Sequence, residues 1–334
     1  MRWWPRAIPA TRRACRRTWR AKRRPHRTGW HSNTWLPSTG GATSTQSPRA
    51  SCAAATVSPA GGSIPVVDLP TSSSGADTTT IALQCADVAN RIIQAGYGQA
   101  AVAGVKGRGN VVTETDLAVE RAVTAILAGE FPGHAVLSEE TAAGTRSDGW
   151  MWIVDPLDGT KNFSRGIPHF AFTIALCFDS EPVVGLTTHP LLGDTFLAVR
   201  GQGTTLNGAR VTVTDCATVQ DAVVAVDLGY NDARAGQQLA TASHLWPGMQ
   251  SLRVPGSAAL GFAYLAAGKW DIYLHSDLEP WDVAAGLILV REAGGVVRQR
   301  DGAPATIESR AVVAATPAVY ADFAKLAGHL PWAG

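Results

Sequence analysis

Three stretches of this 334-residue chain place carboxylates where chemistry can use them. The densest reads Trp152-Ile153-Val154-Asp155-Pro156-Leu157-Asp158-Gly159-Thr160-Lys161-Asn162-Phe163. An apolar run delivers Asp155 and Asp158 to its carboxyl end, Pro156 stiffens the turn, and Gly159-Thr160 opens a helix whose free N–H groups point outward. Such a turn supplies cation ligands and an anion site within six residues. Taken alone, the stretch reads equally as an Asp-rich surface turn with Asp158 as a helix cap. Upstream, Ser138-Glu139-Glu140 follow the apolar run 135–137, so a further carboxylate stands at a strand end. Downstream, Trp281-Asp282-Val283-Ala284-Ala285-Gly286 puts Asp282 in the first turn of an apolar helix, where by itself it does no more than favour the helix dipole.

Acids gathered without matching Lys or Arg repel one another unless a hard cation lies between them, and oxygen ligands select magnesium or manganese over zinc. Two such ions acidify a water and clamp phosphate oxygens in an in-line displacement. The charge balance agrees. Of the 29 Lys and Arg, 12 lie in residues 1–50, which hold no acid; the other 17 face 27 Asp and Glu, so the remainder is acidic. The five cysteines (Cys15, Cys52, Cys85, Cys177, Cys216) are odd in number and form no C-x-x-C pair, which speaks against a disulfide framework or a zinc site. No apolar run reaches the roughly 18 residues that a bilayer span needs.

The elements that must position these acids follow from periodicity. Ile81, Cys85, Val88, Ala89, Ile92 and Ile93 recur at helical spacing behind Asp77, and a second helix is expected from Thr115 or Asp116 to Gly129. Short apolar or alternating runs at 135–138, 151–154, 170–178, 182–188 and 195–200 read as strands, with Asn207-Gly208 as a tight turn. Strands at 222–226, 251–254, 270–275, 296–299 and 312–315 then alternate with helices at 231–243, 257–267, 281–293 and 317–327. Interleaving of this kind predicts an α/β fold of layered sheets and helices.

Residues 1–76 carry clustered Arg and Trp among Pro, Ser, Thr and Gly without either period. They are expected to form a disordered arm ahead of a phosphatase domain at 77–334. Three origins stand for it: a start codon placed too far upstream, an organelle-targeting arm, or a nucleic-acid-binding tail.

The motifs Glu139-Glu140, Asp155-Pro-Leu-Asp-Gly-Thr-Lys-Asn-Phe163 and Trp281-Asp-Val-Ala-Ala-Gly286 with Glu292-Ala-Gly-Gly295 resemble those of the inositol monophosphatase family, in order and interval, over about residues 77–328. The resemblance implies a layered α-β-α-β-α sandwich of the sugar phosphatase type, lithium-sensitive catalysis with two or three Mg2+ ions, and a homodimer. It implies that Glu139, Asp155 and the Leu157 carbonyl hold the first metal, and that Asp155, Asp158 and Asp282 hold the second. Lys106 followed by Thr113-Glu-Thr-Asp116 resembles the family's early Lys and Thr-x-x-Asp segment, which gives Asp116 and Thr160, beside Glu139, to water activation. Asp116 also reads as a helix cap. Gly159 and Thr160 are expected to offer N–H groups to phosphate, with Lys106 on a mobile Gly-rich loop, 106–109.

Gly256, Ala258 and Gly229-Tyr230 match regions facing the substrate, and Arg253 reads either as a partner for a second phosphate or as a surface residue. The acid that in the family often holds sugar hydroxyls, seven positions before Asp282, is here His275, which reads as a polyol contact or an ordinary strand-end histidine. The expected activity is hydrolysis of inositol monophosphate or a similar small phosphorylated metabolite. Fructose-1,6-bisphosphatase, histidinol-phosphatase and 3′,5′-bisphosphate nucleotidase are alternatives on the same fold, and a non-catalytic metal- or phosphate-binding protein is an alternative of another class. A cytoplasmic location is expected, and neither nucleic acid nor membrane is expected as a partner.

Overall fold

The structure, a computed structural model, describes residues 68–99, 102–107, 110–141, 148–327, 329, 330 and 332. In chain order its elements are α1 (Thr78–Gly96), β1 (Val102–Gly107), β2 (Asn110–Thr113), α2 (Glu114–Glu130), β3 (Ala135–Ser138), β4 (Trp150–Asp158) and α3 (Thr160–Ser164). Next come β5 (Ala171–Phe178), β6 (Glu181–His189), β7 (Asp194–Val199), β8 (Gly203–Leu206) and β9 (Ala209–Val211). The second half holds β10 (Val223–Asp227), α4 (Asp232–Leu245), β11 (Ser251–Arg253), α5 (Ala258–Ala266), β12 (Ile272–His275), α6 (Pro280–Glu292), β13 (Val296–Gln299), β14 (Val312–Ala315) and α7 (Pro317–Ala327).

Strands β3 to β9 form a seven-stranded sheet in sequence order, antiparallel except for the parallel pair β3/β4. Hairpin turns keep such a meander in order, and Asn207 and Gly208 supply the one joining β8 to β9, with φ of 51° and 80° as a type I′ turn requires. The second sheet has the order β11-β10-β12-β14-β13, with β10 parallel to both of its neighbours and β14 antiparallel to both of its own. Helices α1 and α2 cover one face of the larger sheet, α5 and α6 fill the space between the two sheets, and α4 and α7 cover the far face of the smaller one. This is the five-layer α-β-α-β-α order that the motifs imply.

Each layer boundary has its own apolar filling. Ile81, Cys85, Ala89 and Ile93 of α1 meet Val119, Val123 and Leu127 of α2 and the Trp152, Val154 and Phe172 face of the larger sheet. The opposite face, including Met151, Ile153 and Ala175, packs on Phe262, Leu265, Ile288 and Leu289 of the central helices. Helix α6 comes very close to β6: a Cβ on Gly185 would lie 2.4 Å from Ile288 Cγ2 and 2.9 Å from the Ala285 carbonyl. Only glycine admits that approach.

The arm expected over residues 1–76 lies outside the described residues as far as 67. Residues 68–76, which fall within the expected arm, make defined contacts with the elements that follow. Thr71 bridges Asp77, Thr78 Oγ1 donates to the Pro70 carbonyl at 2.6 Å, and Ser74 donates its backbone N–H and its hydroxyl to Glu130 at the end of α2. Side-chain hydrogen bonds hold this segment and no apolar repeat does, so periodicity does not register it. Lys106, expected in a loop, is in strand β1, which pairs antiparallel with β2. The placement of its side chain, and Arg108 and Gly109, lie outside the described residues.

Candidate active site

Strand β4 does not turn at Pro156. It runs on to Asp158, and its register against β5 steps from Asp155↔Thr173 to Asp158↔Ala171, so that two residues, Pro156 and Leu157, oppose Phe172 alone. That is a β-bulge, one of the few places a strand tolerates proline. It also solves a directional problem. Three residues apart on a regular strand, Asp155 and Asp158 would point to opposite faces; the extra residue turns them to the same one.

One oxygen each of Asp155, Asp158 and Asp282 lies within 4.8 Å of the others. Asp282 reaches them from the first turn of α6, where Pro280 occupies the first helical position and the Glu279 N–H donates to Asp282 Oδ2 at 2.7 Å. Helix-cap and site readings of Asp282 therefore hold together. Asp155 Oδ1 accepts from the Leu157 N–H at 3.0 Å. Asp158 accepts from Ser257 Oγ and, at 3.1 Å each, from the N–H groups of Ala258 and Ala259 at the start of α5. Ala258, expected to face substrate, lines the cavity and donates its N–H to Asp158.

Burial pushes all three carboxyls up, that of Asp158 to about 6, and the charges of Glu139, Asp158 and Asp282 push Asp155 further. Among the described residues none of the three Asp has a Lys or Arg ion pair; their partners are neutral donors. Three oxygens that repel, with no sulfur or imidazole in the group, fit a hard divalent cation. Glu139 follows β3 and lines the same cavity, but the 4.8 Å group does not extend to it.

Asp116 divides its two oxygens. Oδ2 accepts from the Thr113 N–H at 2.9 Å and from its hydroxyl, capping α2, while Oδ1 lies 3.0 Å from Thr160 Oγ1. The Thr160 hydroxyl is also 2.8 Å from the Leu157 carbonyl. Burial raises the Asp116 carboxyl above its ordinary value. Gly159, at φ +85°, starts the five-residue helix α3, and a Cβ there would lie 3.1 Å from the Gly256 carbonyl and 3.3 Å from that of His169.

Thr160, Gly159 and the three Asp open on a cavity of about 720 Å³, which Asp116 does not itself line; the volume is within the usual range for small-molecule sites. Its walls include Glu139, Asp155, Leu157, Asp158, Gly159, Thr160, Gly256, Ala258, His275 and Asp282, whereas Arg253 does not line it. The profile of the inositol monophosphatase family matches residues 76–330. The chain belongs to that family. It is 36% identical over 242 residues to inositol monophosphatase 2 of Solanum lycopersicum, covering 70% of this chain and 91% of the relative. It is 34% identical over 244 residues to the Nus factor SuhB of Pasteurella multocida, covering 72% and 91%. Among solved structures it superposes on the SuhB protein of Bartonella henselae with TM-score 0.69 and 30% identity, over 75% of this chain and 97% of that one. The Thermotoga maritima IMPase gives TM-score 0.68 and 28% identity, over 75% and 96%.

Beyond the motifs of this inositol monophosphatase family member, the structure adds residues that sequence reasoning missed. Asp227 at the end of β10 is buried against the cavity, accepts from the Gly256 N–H at 2.7 Å and from Tyr273 Oη at 2.9 Å, and is raised by burial to about 7. Glu120, one helical turn after Asp116, accepts from the Thr141 N–H at 3.1 Å and from its hydroxyl at 2.8 Å, which fixes the segment just past Glu139-Glu140. Asp277 accepts from the N–H groups of Tyr230 and Asn231 at 3.1 Å and pairs with Arg234 at 3.2 Å. The signal for Asp227 is an acid ending an apolar strand, the same signal that marks Asp155; Glu120 and Asp277 leave none.

Proposed function

We propose that this chain is a magnesium-dependent phosphomonoesterase that hydrolyses inositol monophosphate or a similar small phosphate ester. The observation that carries the reading is the convergence of Asp155, Asp158 and Asp282 beside the Asp116–Thr160 hydrogen bond. In this reading Glu139, Asp155 and the Leu157 carbonyl hold one ion, and Asp155, Asp158 and Asp282 hold a second. Bound there, magnesium supplies positive charge to the phosphate oxygens and acidity to a water.

The protein's own groups do the rest. Thr160 Oγ1, drawn toward Asp116 Oδ1, turns a lone pair to a water proton, and Asp116, raised by burial, is a site to which that proton can pass. Holding the water in line removes much of its entropy of approach. The N–H groups of Gly159 and Thr160 bind a phosphate oxygen through two direct hydrogen bonds; a helix of five residues adds little macrodipole. Gly256 and His275 line the side of the cavity left for the alcohol, and Lys106, carried on β1, completes the phosphate contacts. Homodimerisation, lithium inhibition and a cytoplasmic location are part of the same proposal, on the strength of family membership.

The test is release of orthophosphate by the full chain from a panel of inositol, sugar, histidinol and nucleotide phosphates, with magnesium and with or without lithium. Turnover that requires magnesium and falls with lithium is expected. A protein that binds magnesium and releases no phosphate from any ester would instead be a silent binder.

A further inference from the structure

Among the described residues, the walls of the active-site cavity carry two basic side chains, Lys161 and Arg310, against eight carboxyls. Arg310 is engaged: it pairs with Glu279 and, at 3.6 Å, with Asp277. Lys161 has no ion pair among the described residues. Its ammonium rests instead over the ring of Tyr230, with Nζ 4.1 Å from the ring centroid. A lysine beside so many acids ordinarily pairs with one of them or turns to water, and this one does neither.

The contact spans the mouth of the site. Lys161 is the second residue of α3, at the end of the larger sheet, and leaves the same turn whose first N–H groups have no partner within the helix. Tyr230 follows β10 at the end of the smaller sheet and lines the cavity too. Each side is fixed without the other. Asn162 ties α3 down by donating to the carbonyls of His169, Pro255 and Gly256 at 2.7, 3.0 and 3.2 Å. Asp277 holds the Tyr230 and Asn231 N–H groups, and Gly229, at φ +64°, lies so close to it that a Cβ would fall 2.4 Å from Asp277 Cβ. Burial raises the Tyr230 hydroxyl, and the charges of Glu139, Asp282, Asp158 and Asp155 raise it further, so the ring stands in the field of the acidic group. As a strap between layers, a cation–π contact of an exposed lysine adds little to the three Asn162 hydrogen bonds.

We propose that Lys161 is a phosphate-binding residue of this site, positioned by the Tyr230 ring so that its ammonium meets the outward oxygens of a phosphate held by the turn at Gly159 and Thr160. The inference rests on the phosphatase reading and deepens it with a residue outside the metal ligands. A dianion attracts an ammonium more strongly than the face of a ring does, so the ring keeps the charge in place and yields it when phosphate binds. Lys161 makes no bond and moves no proton. It meets ester and released orthophosphate alike, and an interaction shared by ground state and transition state acts on KM and leaves kcat alone.

The test measures kcat, KM for myo-inositol 1-phosphate and Ki for orthophosphate in magnesium, using the full chain and the variants Lys161→Met, Lys161→Arg, Tyr230→Leu and the Lys161→Met/Tyr230→Leu double variant. Both side chains are exposed, so the core is untouched. In Lys161→Met, KM and Ki are expected to rise together about tenfold with kcat within about twofold. Lys161→Arg should restore most of the affinity, because a guanidinium both stacks on a ring and holds phosphate. Tyr230→Leu is expected to raise KM about threefold in the parent and to add nothing in the Lys161→Met background. Parental KM and Ki in Lys161→Met would overturn the contact, and an equal effect of Tyr230→Leu in both backgrounds would overturn the positioning. Absence of turnover by the unmodified chain on every ester would overturn the phosphatase reading. The contact is then decided by calorimetric titration of the magnesium-loaded chain with orthophosphate, where the same Kd in parent and Lys161→Met would overturn it.

Discussion

Asp155 and Asp282 each bring negative charge into a buried group already raised by its neighbours. Asp155→Asn and Asp282→Asn are therefore expected to abolish turnover while the circular-dichroism spectrum stays that of the parent, and the metal-free Tm should not fall. Near-normal kcat in either variant at saturating magnesium would remove both from the metal site. The same electrostatics fix a pH dependence. A carboxyl raised to about 6, as in Asp158, binds its proton more tightly folded than unfolded, so metal-free stability suffers fully above pH 6 and recovers as pH falls toward the ordinary value of 3.8. Histidines 169 and 275, both lowered to about 4, run the other way and cost stability as pH falls below 6.5. The gain in Tm on adding magnesium isolates the first effect: it should be larger at pH 7.5 than at pH 5, and a gain independent of pH would contradict the carboxylate origin. At this scale Asp155, Asp158 and Asp282 are legible because each ends an apolar run or opens a helix. Asp227 ends one too, but nothing next to it in sequence completes a motif; its hydrogen-bond partners Gly256 and Tyr273 are 29 and 46 residues away.

Helix α6 carries Asp282 and is wedged between two sheets, so its seat on β6 is a lever on the site. Gly185→Ala forces a methyl against Ile288 and the Ala285 carbonyl, and overpacking of this kind costs about 1–3 kcal/mol. A Tm lower by several degrees is expected, together with weaker magnesium binding by calorimetry as the first turn of α6 shifts. An unchanged Tm would mean the layers can slide apart freely. Elements with a clean period are legible to within a few residues: α7, β13 and β14 lie where the pattern puts them, at Pro317–Ala327, Val296–Gln299 and Val312–Ala315. Hairpin β1–β2 is not, because Gly and a single Lys interrupt its alternation. The bulge in β4 is not either, since a proline after an acid reads as a turn until the partner strand shows the chain continuing.

For the whole molecule, the contacts made by residues 68–76 make two truncations diagnostic. Removing residues 1–67 should leave Tm and kcat/KM unchanged, whereas removing 1–76 strips the Ser74–Glu130 and Pro70–Thr78 contacts and should lower Tm measurably. Equal behaviour of the two would show that residues 68–76 add nothing. The layer order is legible from the alternation of helix and strand; the closeness of the layers is not, because it depends on which glycine faces which helix. One of those layer crossings can be followed spectroscopically. Asp158 leaves the larger sheet and takes the amide protons of Ala258 and Ala259 from a helix about 100 residues further along. An ion drawing charge from that carboxylate must weaken its pull on both protons. Their 1H,15N resonances should therefore move together through a magnesium titration, upfield in the proton dimension and with one shared midpoint, making two alanines with no side-chain chemistry a reporter of charge one layer away.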